Sequence, residues 1–301
     1  MTVLDDKTPT NREGSAGGSG SAAETLVIRP RHSAADRVRL RRRAKVIDNL
    51  LRFGVPVAIL VVWQLGAVFD TYDRRFFPAP VDVVRSLGKA LESGVLQDAV
   101  LVSTYRLLVG FVIGAIVGLV MGLLLGRIRR LNIALDPIIS ALYTVPKLAM
   151  LPILLLIFGL SDLPIIVLIA ASVFFIVVIS TTASVVSVQS NYLEPAKCFG
   201  ATRFQTLRHV ILPASLPAVF VSLRLAAGNA VLVLIGIEFV QGSKGMGYLI
   251  WNSWQLFDVG RMYVGVVLVA IFGVLFQSAI TGIGKLLTPW TRRGRGSNTS
   301  G

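Results

Sequence analysis

Charged residues are scarce in this chain, and cysteine and histidine are almost absent. Charged side chains make up 15% of the 301 residues, against about a quarter in an ordinary soluble protein, and the mean hydropathy is +0.72. The one cysteine, Cys198, excludes a disulfide scaffold, and the only histidines, His32 and His209, exclude a histidine-rich metal site. The remaining polar side chains are too few to cover a soluble surface, so we expect an integral membrane protein.

The common sequence signatures of catalysis are also missing. There is no GxxxxGK[ST] run, because Gly88-Lys89 is followed by alanine and Gly284-Lys285 by leucine, and neither pair has the earlier glycine. There is no GxSxG or HExxH run either. We therefore expect a non-enzymatic chain with no catalytic residues, no metal and no cofactor, which cannot bind ATP through a P-loop of its own.

Long apolar runs fill most of the chain after residue 50. A membrane-spanning helix needs about 20 apolar residues, with a lower limit of about 17. Six runs meet this limit: 53–69, 107–126, 137–161, 163–182, 214–240 and 262–284. The prediction is an all-α integral membrane fold of six transmembrane helices. Residues 47–290 form the membrane domain, between a disordered basic tail over 1–46 and a short C-terminal tail over 291–301.

The formal charge of +14 is concentrated on one side of this topology. With the N-terminus inside, 21 of the 30 Lys and Arg residues lie in the cytoplasmic segments and six in the outer ones. Cytoplasmic loops normally carry this excess and face anionic lipid. We therefore expect contact with membrane lipid and not with nucleic acid, and both termini in the cytoplasm.

Three ionisable residues, Lys147, Arg224 and Glu238, interrupt the apolar runs. A charge at the centre of a span costs about 2.5–3.5 kcal/mol on insertion scales, so each should face protein or water. Lys147 or Arg224 could meet an anionic solute in the transport pathway. Alternatively, either could pair with a carboxylate or with carbonyls, and Arg224 could reach the inner membrane surface. Glu238 is predicted to be structural or part of an outer gate.

Glycines recur every fourth residue in the second run. Such a stripe allows the backbone of a neighbouring helix to approach closely, or it lines a pathway. The five positions are Gly110, Gly114, Gly118, Gly122 and Gly126.

The cytoplasmic stretch 191–213 carries the most specific pattern. Pro195 is compatible only with a first helical turn, so the pattern predicts a helix from Glu194 to Leu207. Gly200 lowers helix propensity by about 1 kcal/mol relative to alanine, which suggests a close backbone contact there. Leu212-Pro213 is predicted to end this helix and to start the next span.

This stretch resembles the EAA loop of ABC-importer permeases, although Pro195 replaces the usual small residue. The matching residues are Glu194, Ala196, Gly200, Ile211, Leu212 and Pro213. The resemblance implies a type I ABC importer permease with a cytoplasmic coupling helix that docks on a separate ATPase. The implied coupling residues are Glu194, Ala196, Gly200, Ala201, Arg203, Phe204 and Leu207, followed by the terminator Leu212-Pro213.

Other segments are similar to the nitrate, sulfonate and taurine permeases of that family. They are 136–160, which contains Pro146-Lys147-Leu148, and the two stretches Leu223-Arg224-Leu225 and Gly245-Met246-Gly247. This resemblance implies a homodimer, two ABC ATPase subunits and an extracytoplasmic binding protein that docks on 70–105 and 241–261. It implies import of a small, anionic solute in the bacterial cell membrane. A pyrimidine or vitamin-precursor permease, a channel and a membrane enzyme remain as alternatives.

Overall fold

The computed structural model describes residues 34–188, 194–195 and 198–290. Within these ranges the chain consists of helices and their connections, without a β-strand, which confirms the all-α prediction. The α-helices are α1 (Ala34–Val68), α2 (Pro80–Glu92), α3 (Val95–Arg127), α4 (Arg129–Thr144), α5 (Leu151–Phe158), α6 (Leu163–Val186), α7 (Arg203–Thr206), α8 (Leu212–Gln241), α9 (Met246–Gln255) and α10 (Val259–Leu287). A 3-10 turn (Lys147–Met150) precedes α5, and a π-turn (Leu207–Ile211) joins α7 to α8.

Five helical segments of the described chain are long and apolar enough to cross a membrane. They are Leu50–Val68, Val95–Arg127, Leu163–Val186, Phe204–Gln241 and Val259–Leu287. They match five of the six predicted spans.

The third predicted span, 137–161, is not one straight helix. It lies in α4 and the Lys147–Phe158 segment, which meet at an angle of 88°, so the count is six only if this bent pair is one span. Val145 is extended (φ −64°, ψ 126°) because the ring of Pro146 disfavours helical geometry in the residue before it. The bend therefore has a local cause in the Val145-Pro146 dipeptide.

The chain divides into two units, Met1–Ala58 and Ile59–Gly301, with the boundary inside α1. In the first unit, α1 begins at Ala34, so residues 34–46 are helical where we predicted part of a disordered tail. Residues 1–33 and 291–301 of the predicted tails lie outside the described residues.

The main core of the second unit is formed by α3, α6 and α8. Leu107, Ile169 and Leu234, one from each helix, are fully buried and belong to one apolar cluster. A second cluster joins α2, the start of α3, α9 and α10 around Val83, Met246 and Val264. The two clusters fix α8 between α6 and α10, and this arrangement positions the charged residues described next.

Candidate transport and coupling sites

A largely buried ion-pair cluster lies where α3, α6 and α8 meet. The Arg106 guanidinium donates to Glu238 through Nη1 (2.9 Å) and to Asp162 through Nε and Nη2 (2.9 and 2.6 Å). Nη1 also donates to the Lys244 carbonyl at 2.8 Å. The Arg106 and Glu238 side chains are 6% and 0% exposed, whereas Asp162 is 47% exposed. One guanidinium thus joins the start of α6, the end of α8 and the loop that leads to α9.

The Glu238 carboxylate has further donors. The Ser103 hydroxyl lies 2.8 and 2.9 Å from its two oxygens, and the Gly247 N–H donates to Oε2 at 2.8 Å. The Met246 N–H in turn donates to the Ser103 oxygen at 2.8 Å. Gly245 has φ +117°, and a Cβ there would overlap the carboxylate. The start of α9 is therefore built directly onto Glu238.

The sequence predicted Glu238 as structural or gating, but it gave no role to Arg106. A signal was present, because Arg106 immediately precedes one apolar run and Glu238 lies near the end of another. In the predicted topology, the start of the run 107–126 and the end of the run 214–240 lie on the same, outer side of the membrane. Two opposite charges at similar depth in different spans are candidates for pairing.

Lys147 caps the broken end of α4. Its ammonium group donates to the carbonyls of Leu142 (3.1 Å), Tyr143 (2.8 Å) and Val145 (2.9 Å). It also lies 4.8 Å from the centre of the Phe175 ring. All three N–H donors of the ammonium group therefore have protein acceptors. Lys147 lies at a bend, whereas the predicted span 137–161 placed it inside one continuous helix.

Arg224 has a different environment on α8. Its side chain is exposed, and within the described part of the chain it has no hydrogen-bond or ion-pair partner. Val221, Leu225 and Leu232 on the same side of α8 are 62%, 66% and 73% exposed. Arg224 thus stands as a charge without a partner among exposed apolar side chains.

The glycine stripe of α3 packs against α6. An added Cβ on Gly110, Gly118 or Gly122 would lie 2.9 Å from a backbone carbonyl oxygen of α6, and one on Gly126 would lie 3.2 Å from one. At Gly114 it would overlap the Ala170 carbonyl. The two backbones are in direct contact along the whole stripe.

The coupling segment is not the single helix that we predicted from Glu194 to Leu207. Glu194 and Pro195 are helical, but the chain turns at Gly200, which has φ +70°, and helix resumes only at Arg203. Thr202 starts α7 with a capping box: its N–H donates to Gln205 Oε1 (2.8 Å) and its hydroxyl accepts from the Gln205 N–H (3.3 Å). Glycine at the left-handed turn and a capping residue two positions later interrupt the helix.

The remaining coupling residues differ in exposure. Glu194 and Phe204 are exposed and Ala201 and Leu207 are half-buried, whereas Ala196 and the Arg203 side chain lie outside the described residues. Phe199, which the prediction did not include, is 90% exposed.

Leu212-Pro213 does not terminate a helix. The chain runs from α7 through the π-turn into α8, with the Leu212 N–H bonded to the Leu207 carbonyl. Proline lacks an N–H, and its ring clashes with the carbonyl four residues earlier in a regular helix. The wider π-turn accommodates Pro213 at the start of α8 without a break.

The five long apolar helices and the bent third segment define a multi-pass helical membrane protein. Residues 114–293 match the family described as the binding-protein-dependent transport system inner membrane component. The match covers more than half of the chain, which therefore belongs to this family.

Individual proteins agree with this assignment. The chain is 34% identical to SsuC of Escherichia coli (strain K12), which is named for transport of aliphatic sulfonates, over 78% of this chain and 90% of SsuC. It is 35% identical to the riboflavin transport system permease protein RibX of Chloroflexus aurantiacus, over 81% and 94% of the two chains. A chain of the MetNI methionine ABC transporter in inward-facing conformations has the same fold, with a TM-score of 0.57, 21% identity, and coverage of 64% and 96%. These similarities confirm the predicted family and fold.

Proposed function

We propose that this chain is the permease subunit of an ABC importer and moves a small anionic solute by alternating access. Two copies would form the pathway, and two ATPase subunits would bind on the cytoplasmic side. An extracytoplasmic binding protein would deliver the solute. Membership of a binding-protein-dependent transport family and the relative named for sulfonates support this proposal.

The segment from Glu194 to Leu207 would contact the ATPase. Phe199 and Phe204 are 90% and 67% exposed, and two aromatic side chains so close in sequence form an apolar surface suited to a partner protein. An added Cβ at Gly200 would meet no atom within 4 Å in this chain, which leaves room there for a partner backbone.

The observation that supports an anionic solute is the guanidinium of Arg224, which has no partner among the described residues. An unpaired charge inside a span must face protein or water, because lipid does not solvate it. Lys147 already donates to three carbonyls, so it could bind a solute only by giving one up. Arg224 has unused donors, and its planar fork binds the oxygens of a sulfonate or carboxylate. We infer that Arg224 and not Lys147 lines the pathway.

Uptake measurements with two variants test this assignment. In cells that depend on this permease, Arg224→Met should reduce uptake of a labelled alkanesulfonate by about tenfold or more, since it removes a charge-assisted contact of about 1.5–3 kcal/mol. Leu225→Met is the matched control, because it introduces the same side chain at the adjacent exposed position. Full uptake by a well-expressed Arg224→Met variant would remove Arg224 from the pathway.

A second solute class, a vitamin such as riboflavin, is favoured by the 35% identity to RibX. The same cells distinguish the two classes. The vitamin alternative predicts that the cells take up labelled riboflavin, that excess alkanesulfonate does not reduce this uptake, and that labelled alkanesulfonate is not taken up. This result would replace the anionic proposal.

Orientation follows from the charge asymmetry of the loops. We infer that both termini and the segment 183–213 are cytoplasmic, and that the turns before α6 and α9 are outside. The Arg106–Glu238 cluster would then lie near the outer surface, where it would hold the outer ends of α3 and α8 together.

A further inference from the structure

A small polar cavity of about 230 Å³ lies between α2 and the start of α10. It is lined by Ser86, Lys89, Ala90, Ser93, Asp258 and Arg261. Gly260 lies against α2 so closely that an added Cβ would be 2.5 Å from the Ser86 hydroxyl oxygen. The cavity therefore forms where the segments 70–105 and 241–261, far apart in sequence, meet in the fold.

The cations of this cavity lack partners, unlike other charges nearby. Arg85 pairs with Asp82, and the Asp258 carboxylate caps α10 by accepting the Arg261 N–H at 3.0 Å. Among the described residues, neither the Lys89 ammonium nor the Arg261 guanidinium has an ion-pair or hydrogen-bond partner, and Arg261 Nε is buried. A buried donor without an acceptor is costly, so an acceptor from outside this chain would stabilise the site.

The cavity fits one side chain better than a whole small molecule. Pockets that hold drug-sized ligands usually measure about 300–1,000 Å³. Two cations and the Ser86 hydroxyl favour an oxyanion, and the one carboxylate in the lining, Asp258, already has the Arg261 N–H as a donor.

We propose that this cavity receives an aspartate or glutamate side chain of the extracytoplasmic binding protein, with its carboxylate between Lys89 and Arg261. The inference rests on the proposed function, because it requires that partner and an outer location for the cavity. It adds the residues of the contact and the chemistry of the partner.

The geometry of α2 favours a protein over a lipid headgroup. Val84 and Leu91 are 66% and 48% exposed and form an apolar stripe suited to lipid. Ser86 follows Val84 by two residues, which places it about 200° around the helix. The cavity thus opens on the side of α2 away from its lipid-compatible face.

The test measures binding between the assembled transporter and its binding protein. The complete complex is reconstituted in nanodiscs, and the probe is the extracytoplasmic protein that stimulates its ATPase. Lys89→Gln and Arg261→Gln should each raise the Kd of this protein by roughly 10- to 100-fold, since each removes one partner of a desolvated charge pair. Arg130→Gln, which removes an exposed cation from the cytoplasmic side of the proposed topology, should leave the Kd within about twofold.

A charge exchange then identifies the partner carboxylate. Arg261→Glu should abolish binding, and replacement of one acidic residue of the binding protein by lysine should restore it. A Kd in the Lys89→Gln/Arg261→Gln double variant that matches the Arg130→Gln control would overturn this inference alone.

Two other results would overturn the inference for different reasons. If both variants instead abolish a dependence of activity on anionic lipid, with the Kd unchanged, the cavity holds a phosphate headgroup. If no extracytoplasmic protein stimulates the wild-type complex, the proposed function fails, and this inference fails with it.

Discussion

Arg106 connects three parts of the chain through a single side chain. Its guanidinium donates to the buried Glu238, to the half-exposed Asp162 and to the Lys244 carbonyl. Lysine has a point charge and could not supply the same planar set of donors. The pair with Glu238 is sheltered from water, whereas the contact with Asp162 is partly exposed and contributes less.

Removal of either buried partner should destabilise the protein strongly. Arg106→Gln or Glu238→Gln strands the opposite charge inside the bundle, at a cost of about 3–5 kcal/mol. Thermal unfolding of the purified permease, followed by fluorescence-detected size exclusion, measures this loss. Arg85→Gln breaks an exposed pair with Asp82 and should change stability by less than about 1 kcal/mol. Equal melting temperatures for the buried and exposed variants would contradict the assigned role of the cluster.

Lys147→Met should fail at assembly and not at solute binding. Methionine fills similar space but cannot donate, so the carbonyl oxygens of Leu142, Tyr143 and Val145 lose the donor that they share at membrane depth. We expect low amounts of folded protein in the membrane, as measured by immunoblot. Lys147→Arg retains several donors and should recover more than half of the protein. Normal amounts and normal uptake in Lys147→Met would show that the capping contacts are dispensable.

At the scale of elements, the contact between α3 and α6 leaves no room for a methyl group. Gly114→Ala would place Cβ against the Ala170 carbonyl and 2.9 Å from Val173 Cβ, and overpacking of this kind costs about 1–3 kcal/mol. Gly88→Ala in α2 meets no atom within 4 Å and should be neutral or stabilising by about 0.5–1 kcal/mol. Melting temperatures of the two variants test the contact, and a stable Gly114→Ala protein would argue against it.

The turn at Gly200 separates two explanations for glycine in the coupling segment. If only the left-handed backbone matters, Gly200→Asn should retain coupling, because asparagine tolerates this geometry better than alanine or leucine. If a partner backbone also approaches the position, Gly200→Asn and Gly200→Leu should both lose ATPase co-purification and uptake. We expect the second result. Normal uptake by Gly200→Leu would remove the docking role of this turn.

The predictable part of the fold is the part controlled by hydropathy. A span must satisfy its backbone internally and match the bilayer thickness, so five apolar runs identified five helices correctly. The bend at Val145-Pro146 lies inside an apolar run and leaves the hydropathy unchanged. The sequence analysis explained Gly200 by a close backbone contact within a helix and did not predict the left-handed turn there.

The candidate site was less predictable because it depends on tertiary contacts. Arg106 and Glu238 are 132 residues apart, and no local pattern links them. The cavity at Lys89 and Arg261 likewise exists only because α10 packs on α2. The sequence identified Lys147, Arg224 and Glu238 as charges within apolar runs, but only the fold shows that Glu238 is paired, and that its partner is Arg106.

At the scale of the whole molecule, α8 connects the coupling segment to the ion-pair cluster. Its 30 residues extend about 45 Å at 1.5 Å per residue. Glu238 near one end is fixed to α3 and α9, while the other end continues into the π-turn and α7. A displacement of the coupling segment along the helix axis would therefore reach the opposite side of the bundle.

The proposed orientation of these two ends can be tested by cysteine labelling. Cys198 is exposed and is the only cysteine of the chain. A membrane-impermeant maleimide should label it in inverted vesicles and not in intact cells. In a Cys198→Ser background, Ser161→Cys should show the reverse pattern. Labelling of Cys198 from outside intact cells would contradict the six-span orientation.

The glycine stripe of α3 also limits how this protein can change during evolution. At each of the five positions, the atoms that exclude a side chain include a backbone carbonyl of α6, from residues 166, 170, 174, 178 and 182. A neighbouring side chain could shrink to compensate for a larger one, but a carbonyl is the same in every residue. No single replacement on α6 can therefore rescue a substitution on the stripe. Related chains that lose one of these glycines should also show a wider separation of the two helices.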